Sequence, residues 1–97
     1  MAVQKNTWLY VVVQKSGAGE QIVGQTDAEN NISYIPSFLN KENAQQAMLH
    51  LQLERKKKYE AQAIIYEDLA DHAAEGGFVI FVLDEDGKVL ERLPASS

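Results

Sequence analysis

Only two side chains in this sequence titrate near neutral pH without help, His50 and His72, so any general acid–base or imidazole-ligand chemistry has to start from them. His72 has Asp68 four residues before it and Asp71 beside it, and an i,i+4 carboxylate can orient an imidazole ring. His72 with Asp68 or Asp71 is therefore the alternative site, that of a small-molecule enzyme. One oriented histidine is not a catalytic centre, because acid–base catalysis also needs a nucleophile or second polar group within hydrogen-bond reach. No Gly-x-Ser-x-Gly elbow, Walker A lysine or His-Glu-x-x-His pair supplies one.

Other constellations have plainer readings. Gly17-Ala-Gly19 follows an apolar run, as a dinucleotide-binding turn would, but Ile22 stands where the third glycine belongs and a strand, not a helix, is expected next. Asp84-Glu85-Asp86 and Asp27-Ala-Glu29-Asn30-Asn31 offer oxygen ligands without the spacing of a calcium loop. Both read as turns, and neither a metal site nor a cofactor is expected. Arg55-Lys56-Lys57-Lys58 beside Tyr59 could touch phosphates while the ring stacks on a base. Four positive charges are a small footprint, so nucleic acid is not the expected partner.

Charge says more when it is divided along the chain. Residues 1–58 carry seven basic and five acidic side chains, a net +2, and residues 59–97 carry two and nine, a net −7. An overall charge of −5 disfavours general attraction to polyanions. The chain has no cysteine, which removes disulfides, thiolate ligands and thiol nucleophiles and fits a reducing cytoplasm. The apolar run from Trp8 to Val13 is too short for a secretion signal core, and no segment approaches the ~20 apolar residues of a membrane span. A soluble cytoplasmic protein without a membrane partner is the expectation.

The elements that position these residues follow from periodicity. At 97 residues with 45% apolar content the chain is sized for one domain over residues 1–97, with residues 1–6 and 94–97 expected to fray. Thr7 to Gln14 is apolar in both alternating sets, as an interior strand is. Gln21 to Thr26 is read as a more polar strand and Ile32 to Ile35 as a third, with Pro36 placing that strand at an edge or ending it.

Asn40 is the expected N-cap of a helix over 41–56, whose stripe of Ala44, Ala47, Met48 and Leu51 faces the sheet while Leu49 and Leu53 face away. Tyr59 to Tyr66 is a fourth strand. A short helix from Glu67 through Ala74 closes on Gly76-Gly77, and Phe78 to Leu83 is a second two-sided apolar strand. Asp84 to Gly87 turns into a last strand over 88–93 with Gly87 at positive φ. The fold class is α+β, in the order βββαβαββ, with two helices on a mixed sheet.

Ile35-Pro36-Ser37-Phe38 followed by Asn40-Lys41-Glu42 and Ala44, and Glu67-Asp68-Leu69 leading through Gly76-Gly77 to Phe78, resemble the N-terminal domain of SseB-type proteins over about residues 32–83. The resemblance implies an interaction or regulatory module and transfers no active-site residue. The residues point the same way. An opposite-charge layout can steer a protein partner or a second copy into register, and Leu49 and Leu53 would form the apolar centre of a contact surface. Gln46, Leu49, His50, Leu53, Arg55 and Lys56 are accordingly the expected interface, for a protein partner or a homodimer.

Overall fold

Two-sided apolar strands become the middle of the sheet. In the computed structural model, which describes residues 3–17 and 19–94, β1 (Trp8–Ser16) lies between β5 (Lys58–Ile65) on one flank and both β2 (Gly19–Ile22) and β4 (Ile32–Phe38) on the other. The second such strand, β6 (Val79–Leu83), runs parallel to β4 and antiparallel to β7 (Val89–Leu93). A short β3 (Gln25–Asp27) pairs with the start of β4.

Helix α1 (Lys41–Ala47) covers one face of this mixed sheet, where Val12, Phe38, Ala44, Ala47, Ala61 and Leu83 are buried together. On the other face α2 (Tyr66–Gly76) packs Leu69, Ala70 and Ala73 onto Leu9, Val11, Ile35, Ile80 and Val82. The α+β architecture and its element order are those the periodicity predicts, with one extra short strand.

That extra strand arises because Gln21–Thr26 is not one strand. The chain leaves β1 after Ile22, Val23 N–H donates to Val12 O at 2.8 Å, and from Gln25 the backbone joins β4 instead. The sheet is therefore continuous where β1 meets β4, at Tyr10↔Phe38 and Val11↔Ser37, and forks beyond, with β2 on one prong and β3 on the other.

The fork also overturns the expectation for Pro36. The strand neither ends there nor lies at an edge: β4 continues to Phe38 between β6 and the β1/β3 pair. On its β1/β3 flank, β3 pairs with residues 32–34 and β1 with residues 37–38, so Ile35 and Pro36 sit in the gap, where no ladder asks for an N–H. Ser37, fully buried, satisfies its hydroxyl by donating to Phe81 O at 3.1 Å.

Helix α1 starts as expected, with Asn40 Oδ1 accepting from Asn43 N at 2.8 Å, but it ends at Ala47 rather than 56. Leu49 N and His50 N bond to the carbonyls three residues back, which tightens the helix end. Gln25 then holds the backbone of Gln52 through both side-chain atoms, Nε2 to Gln52 O at 2.9 Å and Gln52 N to Oε1 at 3.0 Å. Local helix propensity yields to this long-range pair, while Met48 and Leu51 still reach the buried cluster.

The start of α2 has no side-chain cap. Its first N–H groups are taken by the N-terminal segment, Tyr66 N to Thr7 O at 2.8 Å and Glu67 N to Lys5 O at 3.1 Å. Its end is a left-handed Gly77 at φ 74°, with Phe78 N reaching back to Ala73 O at 2.9 Å. In the segments expected to fray, Val3 is buried, while residues 1–2 and 95–97 lie outside those described. Among the described residues, no helix is long and apolar enough to cross a membrane.

Candidate interaction surface

The expected interface residues divide between two surfaces. Gln46 and Leu49 lie with Glu42 and Gln45 around a shallow depression of about 590 Å³ on the outside of α1 and its terminal turn. Leu49 is 85% exposed, a consequence of the early helix end, which lifts residues 48–50 into a turn. His50, also exposed, lies close to Gly87, where an added β-carbon would come within 3.9 Å of the histidine Cβ. The turn after α1 thus abuts the acidic turn between β6 and β7.

Leu53 goes elsewhere. It is half-buried and lines a separate polar cleft of about 210 Å³ with Gln14, Gln21 and Tyr59. Arg55 and Lys56 are exposed at the turn leading into β5, where Lys56 takes a left-handed φ of 67°.

Among the described residues the basic run 55–58 forms no ion pair with the acidic second helix or the hairpin at residues 84–86. Among the described residues the ion pairs belong to Lys15, 2.7 Å from Glu60 and 4.0 Å from Glu20 across three neighbouring strands, and not to the run of residues 55–58. The hydrogen bond with Glu60 pushes the lysine above its ordinary pKa and holds the Glu60 carboxyl below its own. The side chains of residues 55–58 and of Glu67, Asp68, Asp71 and Glu75 therefore stay exposed and outside the ion pairs of the described residues.

His72, Asp68 and Asp71 are all exposed on α2, and no hydrogen bond or ion pair joins them among the described residues. Neither the cleft at Leu53 nor the depression at Leu49 includes any of the three. The acidic turns use their carboxylates internally. Asp84 Oδ1 accepts from Asp86 N and Lys88 N, both at 2.9 Å, with Gly87 at φ 85° as its turn requires. Asp27 accepts from the backbone of Glu29 and Asn30 and from the Asn30 side chain, and the last of these does most to lower its pKa. No group of three or more His, Cys, Asp or Glu is placed to hold a metal among the described residues.

Two features escape the sequence. Trp8, at the start of an apolar run, is 60% exposed and lies outside the cluster that α1 buries around Val12 and Ala61. The cleft at Leu53 is assembled from glutamines far apart in the chain, which no local pattern joins. Compared with protein-family models, with curated proteins and with solved structures, the chain has no match.

Proposed function

We propose that this chain is a binding module, engaging a protein partner or a second copy of itself through Gln46, Leu49 and His50. The observation that carries the reading is Leu49, an 85% exposed leucine bordered by Glu42, Gln45 and Gln46, which makes an apolar centre with a polar rim. Covering such a side chain contributes about 1.5–3 kcal/mol, enough to act as an anchor. The uncompensated basic run and the acidic second helix and hairpin add steering and orientation rather than affinity.

The resemblance of residues 32–83 to the SseB N-terminal domain supports the same interaction or regulatory role, with the weight of the cap and strand residues it rests on. The cysteine-free composition supports a reducing cytoplasm. Catalysis by His72 with Asp68 or Asp71 has no comparable support, since among the described residues no hydrogen bond or ion pair joins those side chains and neither the cleft at Leu53 nor the depression at Leu49 includes them.

The test is sedimentation velocity over a wide concentration range, together with cross-linking in cell extract, for the native chain and Leu49→Asp. Association that disappears in the variant while its circular dichroism stays native is the expected result. A native chain that stays monomeric at high concentration and gives no Leu49-dependent cross-link overturns the reading.

A further inference from the structure

The row Tyr59–Gln14–Gln21 runs across three adjacent strands, β5, β1 and β2, in direct register. Gln14 lies two residues beyond Val12, so the row continues the face that α1 covers, at the end α1 does not reach. Over it passes the segment Gln52–Glu54, pinned at both ends. Gln25 clamps the backbone of Gln52, and Glu54 N–H donates to Tyr59 Oη at 2.9 Å. The cleft of about 210 Å³ enclosed between row and segment is thereby preformed.

Its polar groups are not used up. The carboxamides of Gln14 and Gln21 make no hydrogen bond to the protein among the described residues, and Tyr59, having accepted from Glu54, still has its own hydrogen to donate. Each free carboxamide both donates and accepts. Ile22, Val23 and Leu53 supply apolar surface beside them, and Glu54 puts an acidic side chain at the wall. Among the described residues no basic side chain lines the cleft, so an anion finds no counter-charge from them there.

We infer that this cleft binds a small uncharged ligand whose neighbouring groups both donate and accept hydrogen bonds, the chemistry shared by a sugar unit and a peptide-like amide. A polar site selects by matching donors to acceptors, because a ligand that leaves them unpaired loses the hydrogen bonds of the water it displaces. The inference concerns a different surface from Leu49 and stands or falls separately from the protein-binding reading.

The experiment is a nitrogen-15 heteronuclear titration of the whole chain with glucose, N-acetylglucosamine, N-methylacetamide and, as the charged control, glucuronate, repeated on Gln14→Ala and Gln21→Ala. The expected result is saturable shifts at residues 14, 21, 53 and 59 with at least one uncharged probe, weakened about tenfold in either variant. Saturation by the sugars or by the amide identifies which source of the chemistry fits. The inference is overturned by no saturable shift with any uncharged probe, by glucuronate binding as tightly as glucose, or by affinity unchanged in both variants, each of which retains its native spectrum away from the cleft.

Discussion

The ring of Phe78 rests against the α-carbon of Gly24, so closely that a β-carbon built on the glycine would lie 2.6 Å from Phe78 Cε1. Gly76 meets the same ring, and its added β-carbon would lie 2.6 Å from Cε2. The two glycines are 52 positions apart in the chain and hold one aromatic ring between them, tying the base of the fork to the end of α2.

Because the ring cannot retreat from one glycine without pressing on the other, Gly24→Ala should destabilise the chain by about 1–3 kcal/mol, the usual range for overpacking. Gly76→Ala meets the same clash, but as the last residue of α2 it regains part of the helix propensity that glycine lacks and should cost less. Urea unfolding midpoints check the order. Adding Phe78→Leu to Gly24→Ala should recover part of the loss, and a double variant no better than the sum of the single changes refutes the steric cause.

Lys56 occupies a left-handed φ of 67° without a polar side chain that bonds back to its own backbone. Glycine removes the Cβ penalty of about 1–2 kcal/mol while making the unfolded chain more flexible, so Lys56→Gly should be stabilising by about 0.5–1 kcal/mol. Lys56→Ala, which keeps the β-carbon, should change the urea midpoint little.

Gln25 makes two hydrogen bonds to the backbone of Gln52, and Gln25→Ala removes both. The loss should be local. Hydrogen exchange at Gln52 N–H is expected to accelerate about tenfold while the amides of β1 and β6 keep their protection, because the segment after α1 opens without the sheet.

Stability should fall on both sides of neutral pH. Glu60 and Asp27 have lowered folded pKa values, chiefly through hydrogen bonds from Lys15 and Asn30, so their contribution is present above the ordinary carboxylate range and is lost as pH falls from there through the lowered folded values. Tyr34 and Tyr66 are raised above 10.0, chiefly by burial, and Lys15 above 10.5 by its bond with Glu60. Their contribution is complete below those values and is lost as pH rises through the folded ones. Tyr66 Oη also donates to Pro94 O at 2.6 Å. Tyr66→Phe should therefore cost about 0.5–1.5 kcal/mol at neutral pH and flatten the alkaline limb. An alkaline limb as steep as the native one would refute the assignment to Tyr66.

What was legible in the sequence was whatever a local pattern specifies. The doubly apolar runs at Trp8–Val13 and Phe78–Leu83 marked the two interior strands, Asn40 marked a cap, and Gly77 and Gly87 marked left-handed turns. Long-range partners were invisible. The chain after α1 is held by Gln25, 27 residues from the Gln52 backbone it bonds, and Pro36 is accommodated by a fork in the neighbouring strands. Leu49 and Leu53 both lie beyond the end of α1, so the helical wheel that set them side by side does not hold: Leu49 is exposed in the turn and Leu53 is half-buried in the cleft.

The two registered pairs Tyr10↔Phe38 and Val11↔Ser37 also set how the molecule would give way. They are a seam between one sub-sheet of β5, β1 and β2 and another of β3, β4, β6 and β7, and on each face a buried cluster draws residues from both sides of it. The helices therefore act as rivets, and a pulling force applied across the seam would be borne by side-chain packing more than by backbone ladder, so rupture should begin there.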